Sequence, residues 1–365
     1  MLITIVAGAR PNFMKIAPIV EAVQNARNAG SDIDFRLVHT GQHYDKKMSG
    51  DFFEQLGIPE PHVNLEAGGG SQAEQTAAIM IGFEKELMAN PCDVVLVVGD
   101  VTSTMACSIV AQKLCIKVAH VEAGIRSGDW SMPEEINRLV TDSITNYYFT
   151  TTEVANQNLM QSGISKDKIF FVGNTMIDTL LKQKPNFKEP DFWGTFSLKP
   201  QQYFVMTIHR PSNVDSAEQL SALITGIEEN VGGLPVIFPV HPRTRKNMEK
   251  FGIQVKNIKL VDPLGYLEFN YLVENAKGVI TDSGGITEET TVMGIPCMTL
   301  RNSTERPETC DIGTNELIGT NPAAIVEPLR MMLNNQWKKG NIPPLWDGQT
   351  GKRIVAALLS NAIKP

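Results

Sequence analysis

The amino-acid sequence predicts an α/β protein of two doubly wound, parallel-sheet (Rossmann-like) domains facing a cleft. Three observations lead there. Short apolar runs alternate with amphipathic stretches, the order expected of βαβ units. Several runs, Val94–Val98 among them, are apolar on both faces, as strands covered by helices on both sides must be. The pattern stops at a breaker-rich stretch and starts again, and 365 residues suit two domains of roughly 100–200 residues each.

The elements follow in order. Leu2–Ala7, Phe35–His39, Val94–Val98, Lys117–Glu122 and Tyr147–Thr150 read as strands, with helical patterns at Ile16–Ala29, Ser71–Met88 and Thr104–Leu114 between them. Lys168–Val172 and Gly173-Asn174-Thr175 begin the restart, and Pro185, Pro190, Trp193-Gly194 and Pro200 form the break. A second series follows at Tyr203–Ile208, Pro235–Val240, Ile258–Val261, Gly278–Thr281 and Pro296–Leu300, and Gly348–Ile363 reads as a final helix. The expected boundaries are 1–170, 171–348 and 349–365. In open parallel sheets ligands bind outside the carboxyl ends of the strands, so the residues that close each strand carry the functional expectations.

Composition narrows the classes. Hydrophobic residues at 42% and charged residues at 20% are ordinary for a globular chain with a full core. A net charge of −7 without a basic tract argues against nucleic acid and requires local groups to hold any anion. Cys92, Cys107, Cys115, Cys297 and Cys310 lack paired or metal-type spacing, which predicts reduced, mostly buried thiols. The run Met1–Arg10 is too short for a signal peptide and no stretch reaches the roughly 20 apolar residues of a membrane span, so a cytoplasmic protein is expected. No Cys-x-x-Cys, no Asp-x-Asp of the kind that holds a nucleotide's metal and no Gly-x-Gly-x-x-Gly after the first strand is present, so neither a metal nor a dinucleotide cofactor is expected.

The sharpest chemical signal is Gly278–Glu289. A strand ends at Asp282, Ser283 can begin a helix, and Gly284 and Gly285 let a ligand approach the main chain. Free N–H groups and the positive helix end favour a diphosphate there. Glu289 could accept hydrogen bonds from ribose hydroxyls, and Arg306, in Arg301–Glu308, could pair bidentately with phosphate. Gly8-Ala9-Arg10-Pro11 follows the first strand, and Arg10 and Lys15 supply two further cations for a diphosphate or leaving group.

Carboxylates emerge at three comparable positions. Asp100 closes Val94–Asp100, Glu122 closes Val118–Glu122, and Glu134 with Glu135 follows Pro133 and precedes Asn137 and Arg138. A carboxylate at the mouth of an apolar strand is partly desolvated, which suits it to proton transfer. His209, just past the first strand of the second half, could stabilise charge on a departing phosphate, and His241 is a weaker parallel.

Together these segments resemble the non-hydrolysing UDP-N-acetylglucosamine 2-epimerase family. The matching pieces run in family order: Gly8-Ala9-Arg10-Pro11 with Lys15, Val98-Gly99-Asp100, His120–Arg126, Pro133–Arg138, Val172–Thr175, Thr281–Glu289 and Thr304–Glu308. The resemblance implies the glycosyltransferase-B type of fold, with the last helix crossing back to the first domain. It implies epimerisation of UDP-N-acetylglucosamine to UDP-N-acetylmannosamine through elimination of UDP to 2-acetamidoglucal and re-addition, without a cofactor, for surface polysaccharide precursors. By family position Asp100, Glu122 and Glu134 are the acid/base candidates, without assignment to a face of C2. His209 would assist the diphosphate, and Arg10, Lys15, Ser283, Gly284, Gly285, Glu289 and Arg306 would hold UDP. A homodimer is implied as well.

Two departures bear on the substrate. Asn12 stands where many members carry Glu, which is expected to affect loop packing only. His39–Asp45 and Gly68–Thr76 are more similar to the archaeal branch and to 2-epimerases of UDP-diacetamido-uronates, and the polar residues that would hold an activating second substrate are not all present. The alternatives are therefore a UDP-2,3-diacetamido-2,3-dideoxyglucuronate 2-epimerase, with Arg126, Arg210 and Arg243 available for the extra carboxylate, a hydrolysing epimerase, and a glycosyltransferase on the same fold. No signal for an acceptor site supports the last.

Overall fold

The computed structural model describes residues 1–41, 53 and 56–360, apart from the Arg10 side chain. Gln42–Asp45, part of the segment that leans toward the diacetamido-uronate branch, therefore lies outside the described residues, as do the last residues of the expected final helix. The chain divides into two compact units, Met1–Leu181 with Pro344–Pro365, and Lys182–Pro343.

The first unit is built on a seven-stranded sheet of order β3-β2-β1-β4-β5-β6-β7. Its strands are β1 (Leu2–Ala7), β2 (Asp34–His39), β3 (Val63–Asn64), β4 (Val94–Val98), β5 (Lys117–Val121), β6 (Tyr147–Thr150) and β7 (Ile169–Phe171). All neighbours run parallel, with Ile5 opposite Leu37 and Leu96. Parallel strands need crossovers, and these are α1 (Arg10–Asn28), α2 (Gln72–Ala89), α3 (Thr102–Lys113), α4 (Pro133–Ile144) and α5 (Glu153–Gln161). Every residue of β4 is buried, the consequence of its uninterrupted Val-Val-Leu-Val-Val sequence.

Helix α1 carries Pro18 in its interior. A proline has no N–H, so the Met14 carbonyl loses its intrahelical donor. Thr179, on α6 (Thr175–Gln183), donates its hydroxyl to that carbonyl at 2.6 Å in a buried position. This bond, together with the pairing of β7 on β6, explains why the division falls at Leu181/Lys182 rather than at the expected 170/171. The second crossing comes at Pro343/Pro344, before the expected 348/349. The returning segment is fastened by Trp346 Nε1 to the Thr151 carbonyl at 3.1 Å and by Arg353 Nη1 to the Val172 carbonyl at 3.0 Å. Asp178 accepts the Gly351 N–H at 2.8 Å, holding the first turn of the last helix, Thr350–Leu359, which packs on α1.

The second unit is a six-stranded parallel sheet of order β10-β9-β8-β11-β12-β13. Its strands are β8 (Phe204–Thr207), β9 (Val236–Pro239), β10 (Ile258–Val261), β11 (Gly278–Thr281), β12 (Cys297–Thr299) and β13 (Asn315–Leu317). Phe204, Met206, Phe238, Ile280 and Met298 join Leu220, Leu223 and Ile227 of the Ala217–Asn230 helix in one buried cluster. Both sheets match the expected class of doubly wound, glycosyltransferase-B type domains. The cysteines are free, but only Cys107 and Cys297 are buried and Cys115 is exposed, fewer buried thiols than the sequence suggests. Among the described residues, no helix is long and apolar enough to cross a membrane.

Candidate active site

In the first unit the functional side chains gather at the carboxyl ends of β1, β4 and β5. Asn12 organises the turn after β1: its Oδ1 accepts the Gly8 and Ala9 N–H groups at 3.2 and 2.9 Å, and its Nδ2 donates to the Val98 carbonyl at 3.2 Å. The residue that departs from the family pattern thus ties the β1 turn to the end of β4. Lys15, one turn further along α1, donates to Glu122 Oε2 at 2.8 Å. The Glu122 side chain is 3% exposed, and its backbone sits at φ 70°. A left-handed φ at a non-glycine costs on the order of 1–3 kcal/mol and survives only where the surroundings impose it. Here the Glu122 and Ala123 N–H groups both reach the Phe149 carbonyl, at 3.0 and 3.1 Å.

Asp100 follows Gly99, whose φ of 71° and close approach to Lys15 and Asn12 leave little room for a side chain. Arg138 grips Asp100 Oδ2 through Nε and Nη2, at 3.1 and 2.5 Å, and Asn137 Nδ2 donates to the Asp100 carbonyl at 2.9 Å. The Arg138 guanidinium also reaches Glu135 Oε2 at 2.7 Å. Glu135 is buried and accepts the Ser127 and Gly128 N–H groups, each at 3.0 Å. Burial pushes its pKa up, but those N–H groups and Arg138 outweigh it and hold the carboxyl low. Of the two adjacent glutamates, Glu135 builds the scaffold. Glu134 is exposed in the first turn of α4 and makes no hydrogen bond or ion pair among the described residues.

In the second unit β11 delivers Asp282, fully buried, to the start of α7 (Gly284–Met293). Asp282 accepts the His209 and Arg210 N–H groups at 2.9 and 2.8 Å and Asn213 Nδ2 at 3.1 Å, and its Oδ1 lies 3.0 Å from His209 Nδ1. Burial works to raise its pKa, but His209 and these donors prevail and keep it low. An ionised Asp282 fixes the proton of His209 on Nδ1, as in other His–Asp pairs, and leaves Nε2 on a ring that is 47% exposed.

Ser283 caps α7 without a side-chain capping bond, and its N–H bonds Thr281 Oγ1 at 3.0 Å. The following N–H groups belong to the unsatisfied first turn of the helix. Gly285 borders open space, whereas a Cβ on Gly284 would meet Glu305 Oε1 at 2.7 Å and displace that carboxylate. Glu289 is buried, with one carboxylate oxygen, Oε1, lacking a hydrogen-bond partner among the described residues. Burial raises its pKa to about 7, against the pull of Tyr266 and Asn270 beside it. Arg306, expected on phosphate, is itself buried and pairs through Nε with Glu288 Oε1 at 2.8 Å. Neighbouring Arg301 and Glu305 pair at 2.7 Å; burial raises the Glu305 pKa, but Arg301 and Arg306 bring it down to about 2. Arg306 thus belongs to an ion-pair scaffold behind the α7 turn. His241 caps another helix, accepting the Arg243 N–H at 3.2 Å.

Sequence reading missed Arg138, Asn137 and Asp282 as site builders, and named Glu135 only beside Glu134. Their only signal was proximity: Pro133–Arg138 and Thr281–Gly285 had already been singled out for their neighbours. Among the described residues, no cluster of three or more His, Cys, Asp or Glu side chains could hold a metal ion.

Comparison with known proteins places the chain in a family. Residues 25–359 match the family model for UDP-N-acetylglucosamine 2-epimerase. The chain is 42% identical over 371 residues to the UDP-N-acetylglucosamine 2-epimerase of Methanocaldococcus jannaschii, covering 98% of this chain and 99% of the relative. It is 38% identical over 337 residues to the UDP-2,3-diacetamido-2,3-dideoxy-D-glucuronate 2-epimerase of Pseudomonas aeruginosa, covering 91% and 92%. A crystal structure of the M. jannaschii enzyme in complex with UDP-GlcNAc and UDP superimposes with a TM-score of 0.86 at 42% identity, over 98% of this chain and 99% of that one. The chain belongs to the UDP-N-acetylglucosamine 2-epimerase family.

Proposed function

We propose that this protein interconverts UDP-N-acetylglucosamine and UDP-N-acetylmannosamine. The observation that carries the reading is the pair of cation-bound carboxylates, Asp100 with Arg138 and Glu122 with Lys15, at the ends of the adjacent strands β4 and β5. Family membership supports it, and so do the relatives whose names state that activity.

One carboxylate removes the C2 proton while the C1–O bond to UDP breaks, giving 2-acetamidoglucal. A proton returns to the opposite face of C2 from a second acid, and UDP adds back at C1. The proton and the diphosphate both leave and both return, so the balance is an isomerisation. A C2 proton is weakly acidic, and preorganised charge at the departing diphosphate supplies much of the help. Asp100 and Glu122 are the acid/base pair. Glu134, exposed and unpaired, is the third candidate of the family pattern. His209, oriented by Asp282, stabilises the leaving diphosphate, and the Ser283-Gly284-Gly285 turn cradles it. Glu289 offers its unpartnered oxygen to the ribose. Arg306 adds positive potential from behind Glu288. The same reading makes the protein a cytoplasmic homodimer that supplies precursors of surface polysaccharide.

The sugar assignment has a structural side. A uronate needs a cation for its C6 carboxylate, yet Arg126 is bound to Asp142 at 2.6 Å and Arg243 to Asp215 at 2.5 Å. Of the three arginines expected to be available, only Arg210 lacks a carboxylate partner among the described residues, its Nε donating to the Asp282 carbonyl at 3.1 Å. Chromatography of the nucleotide sugars after incubation with UDP-N-acetylglucosamine, or with the diacetamido-uronate, tests the proposal. Formation of UDP-N-acetylmannosamine is expected. Turnover of the uronate alone would reassign the substrate, and accumulation of free UDP with N-acetylmannosamine would make the enzyme hydrolysing.

A further inference from the structure

His120 lies on β5, fully buried, and neither the strand pattern nor the proposed chemistry uses it. Its ring is held at both nitrogens. Nδ1 is 2.8 Å from Asp142 Oδ1, and Nε2 is 2.8 Å from the carbonyl of Gly99, the residue before Asp100. A carbonyl can only accept, so Nε2 must carry a proton. The Nδ1 proton follows from Asp142. That carboxylate also receives Arg126 Nη1 at 2.6 Å and the Gly124 N–H at 3.0 Å, both on Oδ2. The Arg126 ion pair and the Gly124 N–H, two donors on one oxygen, favour the ionised carboxylate without any contribution from His120. An ionised Asp142 can only accept from His120.

The Gly99 peptide is thereby fixed on both sides. Its N–H donates to the Val121 carbonyl at 3.0 Å, and its carbonyl is held by the His120 ring. Helix α4 then holds Asp100 by three routes: Arg138 on its carboxylate, Asn137 on its carbonyl, and Asp142 through His120. Arg138 and Asp142 are four residues apart and share one helix face.

We propose that His120 is a buried imidazolium that positions Asp100, gripping the Gly99 carbonyl so that the carboxylate is presented at a fixed depth and angle. This rests on the reading of Asp100 as an acid/base group. His120 does not touch the substrate. It acts through the Gly99–Asp100 turn, and a carboxylate displaced by about 1 Å can lose on the order of 10²-fold in rate.

Two side chains separate this role from simple neutralisation of Asp142. In H120Q an amide N–H can reach the Gly99 carbonyl from the place of Nε2. In H120N the shorter amide can serve Asp142 but not Gly99. The expected result is a kcat reduced ~10–10²-fold in H120N, with KM for UDP-N-acetylglucosamine little changed, and substantial recovery of kcat in H120Q. Equal activity of the two variants, or a loss confined to KM, would overturn the positioning role. Nitrogen NMR of the wild-type protein, selectively labelled at histidine, supplies a reading that does not depend on the variants folding. Two protonated ring nitrogens on His120 at neutral pH are expected, and a neutral ring would overturn the proposal. A wild type inactive on the sugar with a doubly protonated His120 would remove the assigned reaction and the positioning role derived from it, but leave the ion pair standing.

Discussion

Lys15 Nζ donates to Glu122 Oε2 at 2.8 Å, joining α1 to the residue that ends β5. The side chains are 14% and 3% exposed, so the pair is largely removed from water. Removing one partner of such a pair strands the other. Lys15→Met should therefore destabilise the fold by roughly 3 kcal/mol, and Lys15→Met with Glu122→Gln should recover much of that loss. Urea denaturation of Lys15→Met, Glu122→Gln and the double variant measures it. Additive losses would mean that the pair is not coupled.

Catalytic loss should follow a different pattern from stability loss. Asp100→Asn and Glu122→Gln each remove a proposed proton-transfer group at nearly constant volume, so each should lower turnover by ~10²-fold or more. Glu134→Gln, at an exposed position without partners, reads out the third candidate. Near-normal rates in both Asp100→Asn and Glu122→Gln would remove the acid/base assignment.

Much of this was legible before any coordinates. Strands such as Val94–Val98 announce themselves because every residue is buried and apolar. The short β3 and β13, of two and three residues, carry too few side chains for a pattern. The boundary beyond Lys168–Val172 was misplaced because that run is the last strand of the first sheet, fixed by register with Tyr148–Thr150, and not the start of the second series. Asp100, Glu122, His209 and Ser283 were visible as polar residues closing apolar runs. Their partners were not. Asp282 meets His209 across 73 residues of sequence and Arg138 meets Asp100 across 38, and such pairings exist only once the sheet order is set.

The Asp282–His209 contact yields a prediction about tautomer. In Asp282→Asn the amide oxygen is retained by the His209 and Arg210 N–H groups, so the NH2 group faces His209 Nδ1 and the ring proton moves to Nε2. The ring then lacks the carboxylate that supports positive charge on it as the diphosphate departs. The expected result is a fall in kcat of ~10²-fold, with a changed pH profile, read by steady-state kinetics. An unchanged profile would detach Asp282 from the reaction.

The proposed ribose contact of Glu289 would link nucleotide binding to pH. Its folded pKa of about 7 lies above the ordinary 4.5, so the native state binds the extra proton. Between pH 4.5 and 7 the fold should therefore lose stability as pH rises, by roughly 3 kcal/mol at most, and Glu289→Gln should abolish that slope. A carboxylate that accepts ribose hydroxyls binds better ionised, so the Kd for UDP-N-acetylglucosamine should tighten from pH 6 to pH 8 in the wild type and flatten in Glu289→Gln. Calorimetry in each buffer tests both variants, and parallel profiles would detach Glu289 from the nucleotide.

Thr179→Val removes the donor that serves the Met14 carbonyl left open by Pro18. The buried carbonyl is then unsatisfied, at a cost of about 1–3 kcal/mol. Thermal unfolding measures this, and an unchanged Tm would show that the carbonyl finds another donor.

The central claim is that Asp100 and Glu122 move a proton at C2. Incubation of the protein with UDP-N-acetylglucosamine in deuterated water, followed by proton NMR, tests it most directly. Deuterium at C2 is expected as UDP-N-acetylmannosamine appears, with both signals lost in Asp100→Asn and Glu122→Gln. Epimer formation that retains the C2 proton would contradict it.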